Sequence, residues 1–200
     1  MSTSKKSILF LFGALMLTML LASLSQMIFS SALPTIVGEL NGVEHMTWVV
    51  TAYMLASTVT MPIYGKVSDM YGRKPLLLIA ISLFVLGSIF GIVAQDMTML
   101  IISRVIQGVG GGGLMILSQT AVADVIPARE RGKYTGIMGA VFAFSSVAGP
   151  LLGGWLTEGP GWRWAFILNI PLGIMAFVGV WALLHLPKKP KTHGKTDYAG

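Results

Sequence analysis

Arg104, Gln107 and Gly108 share one face of the apolar run MLIISRVIQGVGGGGLMILSQTAV, because positions three and four apart are neighbours on a helix. Arg104 lies about six residues into that run, so roughly 9 Å along a helix, where holding a guanidinium in hydrocarbon costs at least about 2.5 kcal/mol. The chemistry open to it is binding: an acid, a carbonyl or water in a cavity, with Gln26 or Ser25 as neutral partners. A second charged group is Gly65-Lys-Val-Ser-Asp-Met-Tyr-Gly-Arg-Lys, four of whose ten residues are charged in a chain that is 11% charged overall. Its glycines allow tight turns with positive φ. Pro75 suits the first turn of the following helix. Asp69 caps that helix or pairs with Arg73. The stretch reads as a stiff joint between two helices. Lys66, Arg73 and Lys74 as mere topology determinants would leave Asp69 and the glycines without a reason. Catalysis is not indicated. There is no Cys, and His45, His185 and His193 lie at or beyond the edges of the apolar runs. No Ser/His, Cys/His or metal-binding constellation is present, so neither an enzyme nor a metal or other cofactor is expected. The glycines from Gly108 to Gly113 lack the Lys-Ser or Lys-Thr of a phosphate-binding loop.

The elements that hold these residues follow from composition. The chain has 200 residues, 54% of them hydrophobic, and a mean hydropathy of +0.75. Crossing a hydrocarbon layer about 30 Å thick takes roughly 20 helical residues. Six segments meet that length, approximately 8–33, 46–64, 76–94, 98–122, 135–156 and 164–186. The period-two alternation of a membrane β-strand is missing. The expected fold class is an all-α membrane protein with six transmembrane helices over residues 1–187, followed by a basic tail or linker over 188–200. The first run follows Lys5 and Lys6 as a signal peptide would, but it is too long for a cleaved core and no small-residue cleavage site ends it.

The net charge of +6 is unevenly placed. With the amino terminus inside, the inside segments carry Lys5, Lys6, Lys66, Arg73, Lys74, Arg129, Arg131, Lys133, Lys188, Lys189, Lys191 and Lys195. The outside segments carry Arg163 alone. That asymmetry sets topology, with both termini cytoplasmic, and argues against nucleic acid as a partner.

The charged stretch recurs. At a constant offset of 89, Gly65, Asp69, Gly72 and Lys74 meet Gly154, Glu158, Gly161 and Arg163. Three spans separate the copies, so the second unit is upside down. An inverted 3+3 repeat is a signature of secondary transporters. Gly108 and Gly112 in span four, and Gly149 and Gly153 in span five, have the spacing that lets helices approach closely. Pro150 removes a donor and bends span five. Gln26, Met27, Tyr53, Met54, Met115, Gln119, Phe142 and Asn169 are candidate linings for an adaptable cavity, in a chain with 13 Met.

Gly65, Asp69, Gly72, Arg73 and Lys74 resemble the signature loop of the major facilitator superfamily. Arg104-Val-Ile-Gln-Gly-Val-Gly is similar to its fourth-span motif. Gly149-Pro150-Leu-Leu-Gly153-Gly154 is similar to the fifth-span motif associated with drug antiporters. Ala32-Leu-Pro-Thr-Ile and Trp162-Arg-Trp-Ala-Phe-Ile-Leu-Asn-Ile-Pro-Leu-Gly resemble the subgroup of multidrug exporters with fourteen spans. The resemblance implies the amino-terminal bundle of that fold and multidrug efflux, an antibiotic-resistance function, from the plasma or inner membrane. Cargo would be amphipathic or cationic compounds, driven by a proton gradient through alternating access. It further implies a conformational switch in which Asp69 and Arg73 engage Asp124 near the cytoplasmic end of span four. Two positions depart from the pattern: Ser145 stands where Gly is usual, and Ser25 where the family often places an Asp. No carboxylate lies deep in any span, which leaves open which acid couples protons.

Six spans are half of such a machine, and the expected partners are the lipid bilayer and a carboxy-terminal transporter half. A dedicated metabolite transporter of the same fold, or a membrane fragment that transports nothing, are the competing readings.

Overall fold

The computed structural model describes residues 5–39 and 42–183. They form α1 (Lys5–Glu39), a short 3-10 turn (Val43–His45), α2 (Met46–Tyr71), α3 (Arg73–Ile92), α4 (Met97–Val125), α5 (Arg131–Glu158), α6 (Trp164–Ile167) and α7 (Asn169–Leu183). Among the described residues there is no strand. Six stretches of the described residues are long and apolar enough to cross a membrane, the last being α6 and α7 together, Trp164–Ala182. The 188–200 tail lies outside the described residues.

Helix packing reproduces the repeat. The most extensive pairs are α3 with α4, α2 with α4 and α1 with α5, followed by α1 and α3 with α7. Exchange α1 with α4, α2 with α5, and α3 with the α6–α7 span. The α2–α4 pair then maps onto α5–α1, and α3–α4 onto α7–α1. The α1–α4 and α3–α7 contacts map onto themselves. Because successive spans alternate in direction, Lys66, Arg73, Lys74, Arg129, Arg131 and Lys133 gather at one end of the bundle, the basic end. Glu39, Glu44, Asp96, Glu158 and Arg163 stand at the far end.

Spans one, two, four and five run past their expected bounds, whereas α3 starts earlier and ends at Ile92, and the last described span, Trp164–Ala182, lies within the expected 164–186; the main correction concerns the charged joint. Residues 65–71 are the last turns of α2, not a loop. Gly65 is helical, with nothing within 4 Å of where a Cβ would sit. The turn is made by Gly72 alone, at φ 95°, a left-handed conformation that a side chain disfavours. The only other described glycine with positive φ is Gly161, at φ 116°, the position paired with Gly72 by the 89-residue offset. Asp69 does not cap α3, which starts without a side-chain cap. α1 runs through Pro34 to Glu39, and α5 runs unbroken through Pro150. α4 begins where Asp96 accepts the Met99 amide at 2.8 Å, satisfying one orphan donor of its first turn. It ends under Arg131, whose Nη2 donates to the Ala123 carbonyl at 2.8 Å.

Glycines set how closely α4 is held. A Cβ on Gly108 would stand 2.6 Å from the Tyr53 carbonyl oxygen, and one on Gly112 2.7 Å from that of Ser57, so this face lies against the α2 backbone. A Cβ on Gly110 would stand 2.6 Å from the Ala80 carbonyl oxygen of α3. α4 is therefore wedged between α2 and α3 at backbone distance. This close packing matters in a bilayer, where lipid is as apolar as leucine and association rests on van der Waals contact and interhelical hydrogen bonds.

Candidate functional site

Arg104 is 1% exposed, at the junction of α1, α2 and α4. Its Nη2 donates to Gln26 Oε1 at 2.6 Å and its Nη1 to Gln107 Oε1 at 3.0 Å. The guanidinium carbon lies 3.9 Å from the centroid of the Phe29 ring and 4.2 Å from that of Tyr53. A cation over two aromatic faces is stabilised by their quadrupoles, more so when desolvated. Its Nε has no hydrogen-bond partner. Every acceptor named is a neutral amide.

The network continues away from the charge. Gln107 Nε2 donates to Ser88 Oγ at 2.9 Å. Asn169 Nδ2 donates to Ser88 Oγ at 3.0 Å and to Ser25 Oγ at 2.9 Å. Ser88 Oγ donates in turn to the Phe84 carbonyl at 3.0 Å. One buried hydroxyl thus joins α3 to α4 and α7, and Asn169 ties α7 to α1. Ser25, Ser88, Gln107 and Asn169 are all buried. Each of these four side chains finds a partner inside the protein, as hydrocarbon requires.

Of the candidate partners for Arg104, Gln26 is in contact, whereas Ser25 serves Asn169 instead. Gly108 lies on the same helical face as Arg104 but is filled by the α2 backbone, so it is a packing position and not a lining one. Tyr53 is buried over the guanidinium. Of the other cavity candidates, Met27 and Met54 are 37% and 57% exposed, Gln119 is exposed, and Met115 and Phe142 are half-buried. The described acids all stand at helix ends or in the turns between helices. Among the described residues no group of three or more His, Cys, Asp or Glu is placed to hold a metal. Ser88 escaped the sequence reading because a single Ser in an apolar run carries no pattern; its one signal was the flanking pair Gly87 and Gly91.

At the basic end, Arg73 is 7% exposed. Its Nη1 lies 2.8 Å from Asp69 Oδ1 one turn away on the preceding helix, and its Nε donates to Asp124 Oδ2 at 3.0 Å. Ser68 Oγ also accepts from Nη1. The structure thus brings Asp69, Arg73 and Asp124 together and adds Ser68. Gly65 is one turn of helix away from this cluster, and Lys74 follows Arg73 in the first turn of α3, half-buried. In the fifth span, Gly149 and Gly153 face α1; a Cβ on Gly153 would stand 2.7 Å from Ser31 Cβ and 2.9 Å from the Ile28 carbonyl oxygen. Pro150 is exposed, and its carbonyl accepts from Ser31 Oγ at 3.4 Å. A Cβ on Gly154 would meet nothing within 4 Å, because the residue, itself half-buried, lies one position round the helix from Gly153. Ser145 is fully buried with its hydroxyl 2.9 Å from that of Ser23, so this side chain links α5 to α1.

The sequence matches the profile of the Major Facilitator Superfamily over residues 15–200. It is 44% identical over 191 residues to an uncharacterized MFS-type transporter of Mycobacterium tuberculosis, covering 95% of this chain and 28% of that protein. It is 43% identical over 162 residues to multidrug resistance protein 3 of Bacillus subtilis, covering 81% of this chain and 32% of that protein. It is 40% identical over 190 residues to an efflux pump of Gibberella moniliformis, covering 94% and 34% respectively. The chain therefore spans about a third of the length of these relatives. By fold it is similar to the proton:xylose symporter XylE, with a TM-score of 0.75 at 18% identity over 92% of this chain and 46% of that one. The human organic anion transporter MFSD10 gives the same TM-score and identity over 89% and 48%. With six membrane-capable helices and a family match across nearly its whole length, this chain is a multi-pass membrane protein belonging to the Major Facilitator Superfamily.

Proposed function

We propose that the chain is the amino-terminal domain of a proton-coupled multidrug exporter of the fourteen-span subgroup, working by alternating access. The observation that carries this reading is Arg104, a guanidinium held wholly inside the membrane domain by neutral partners. A protein gains nothing in stability from such a group, since a buried charge costs several kcal/mol and amides return little of it. A functional reason for keeping it is that its field lowers the pKa of a carboxylate brought near it, or that it receives an anionic group during the cycle. Its unpaired Nε and its weak amide partners leave it able to accept one. The multidrug and efflux-pump relatives support the direction and breadth of transport.

In this reading the basic end is cytoplasmic, as are both termini, and the membrane is the plasma or inner membrane. The Asp69–Arg73–Asp124 cluster latches the cytoplasmic side when the transporter faces outward. The carboxy-terminal half supplies the coupling acid that Ser25 does not. It docks against α2 and α5, whose outward faces carry Leu55, Val59 and Ile63, and Phe144, Val147 and Leu151.

The test is transport of a fluorescent amphipathic cation in membrane vesicles containing the complete transporter, with and without an imposed pH gradient. Arg104→Ala is expected to abolish gradient-driven transport while the protein still inserts. Transport by that variant at the wild-type rate at several pH values would remove the reading. A ligand panel in the same assay separates a multidrug from a dedicated metabolite transporter.

A further inference from the structure

Between α3 and α7 the outer surface of the bundle carries a groove of about 370 Å³, lined by Leu78, Ile79, Ser82, Leu83 and Leu86 of α3 and by Phe177 of α7. The two helices touch at the level of Val85, where a Cβ on Gly173 would stand 2.3 Å from Val85 Cγ2. From that contact α7 runs back toward the basic end, so Phe177 and Trp181 fall about level with Ile81 and Leu77. The lining is apolar in effect. Its one hydroxyl, Ser82 Oγ, donates to the Leu78 carbonyl of its own helix at 2.8 Å and has no proton left for an occupant. Ile79, Leu86 and Phe177 are exposed. A hydrocarbon chain fits such a surface and a polar molecule does not. Neither α2 nor α5, the faces assigned to the second half of the transporter, takes part in it.

Charge orients the occupant. Leu78 and Leu86 lie five and thirteen residues from the start of α3, so the groove runs from roughly 8 to 20 Å below the basic end. One leaflet of hydrocarbon is about 15 Å deep, so most of the groove lies in the leaflet at that end. Its mouth is flanked by Lys74, one turn before Leu78 on α3, and by the exposed Trp181, one turn beyond Phe177 on α7. No described residue forms an ion pair with Lys74. A lysine stem reaches along apolar surface to the headgroups, and an indole settles at the same level. Arg129, Arg131 and Lys133 add to the positive field at this end, whereas Glu39, Glu44, Asp96 and Glu158 stand at the other. We propose that the α3–α7 groove is a binding site for an anionic phospholipid of the leaflet at the basic end, one acyl chain lying along Leu78 to Leu86 and the phosphate held by Lys74 beside Trp181.

This chain has no Cys, so one introduced thiol reports the groove. The complete transporter, with Ile79→Cys as its only thiol, is labelled with bimane and reconstituted in vesicles of phosphatidylcholine and phosphatidylglycerol, one of the two brominated on its acyl chains. Bromine quenches the dye on near contact, so exchanging the brominated component gives the relative affinity of the two lipids for the groove. Phosphatidylglycerol is expected to be preferred about fivefold, the contribution of one lysine at an anionic headgroup. Met175→Cys, exposed on the opposite side of α7 from Phe177, reports ordinary lipid contact and should show no preference. Lys74→Gln should abolish the preference at Ile79→Cys, and Lys74→Arg should keep it. Equal quenching by the two lipids at Ile79→Cys, or the same preference at Met175→Cys, would reduce the groove to bulk lipid contact and overturn the site. No quenching by either lipid would mean that another helix or a second copy covers the groove, which overturns it as well. If Lys74→Gln does not accumulate in the membrane, salt at about 1 M takes its place: screening should remove the preference, and a preference that persists would contradict the lysine's role.

Discussion

Arg104 donates to two amides and leaves Nε without an acceptor, so the energy of this site is concentrated in its neutral neighbours. Ser88 receives from both Gln107 and Asn169. Ser88→Ala leaves two buried donors short of an acceptor and is expected to destabilise the fold by about 1–3 kcal/mol, read as a lowered midpoint of thermal unfolding in detergent. Ser25→Ala removes only one of the two acceptors of Asn169 and should cost less. At the basic end, Asp124→Asn weakens a bridge worth about 1 kcal/mol; under the proposed alternating-access cycle it is expected to shift the balance about fivefold toward opening there in the complete transporter, measured by the distance between spin labels across that end. Arg104 and Gln26 were legible in the sequence because a charge in an apolar run announces itself and its polar neighbours are few. The hub at Ser88 was not, since the contact joins residues 19 and 81 positions away and a lone hydroxyl has no period.

At the scale of elements, glycine identity separates into three physical cases that a sequence does not distinguish. Gly108, Gly110 and Gly112 are occupied by neighbouring backbone, Gly72 and Gly161 hold positive φ, and Gly65 and Gly154 face open space. Gly110→Ala forces α4 away from α3 and is expected to cost about 1–3 kcal/mol, the scale of overpacking. Gly72→Ala places a Cβ at φ 95°, ψ 160°, a region essentially confined to glycine, at about 1–3 kcal/mol. Gly65→Ala and Gly154→Ala should be neutral or stabilising by up to about 1 kcal/mol, because each removes helical glycine entropy without a clash. Unfolding midpoints of the variants give the order directly, and a Gly154→Ala protein as unstable as Gly110→Ala would contradict the placement. Span number was readable from length and hydropathy alone. The end of α2 was not. Lys66, Asp69 and two glycines read as a stiff joint between helices, yet a helix tolerates Lys66, Asp69 and Gly65, which meets no neighbour, and Gly72 alone makes the turn.

For the whole molecule, the repeat seen as four matched positions at the 89-residue offset becomes a pairing pattern that survives exchange of its two halves. The sequence carried the offset and the resemblance to the family, while the far-end contact between Trp162 and Glu39 was hidden by a separation of 123 residues. The central claim is that the two units are flipped relative to one another across the membrane. Tyr71 and Pro160 are exposed residues at the repeat offset, each just before its positive-φ glycine or one residue from it. Single-thiol variants Tyr71→Cys and Pro160→Cys, treated in intact cells with a membrane-impermeant maleimide, test this most directly. The account predicts that Pro160→Cys reacts at once and Tyr71→Cys only after permeabilisation; labelling of both from the same side would contradict it.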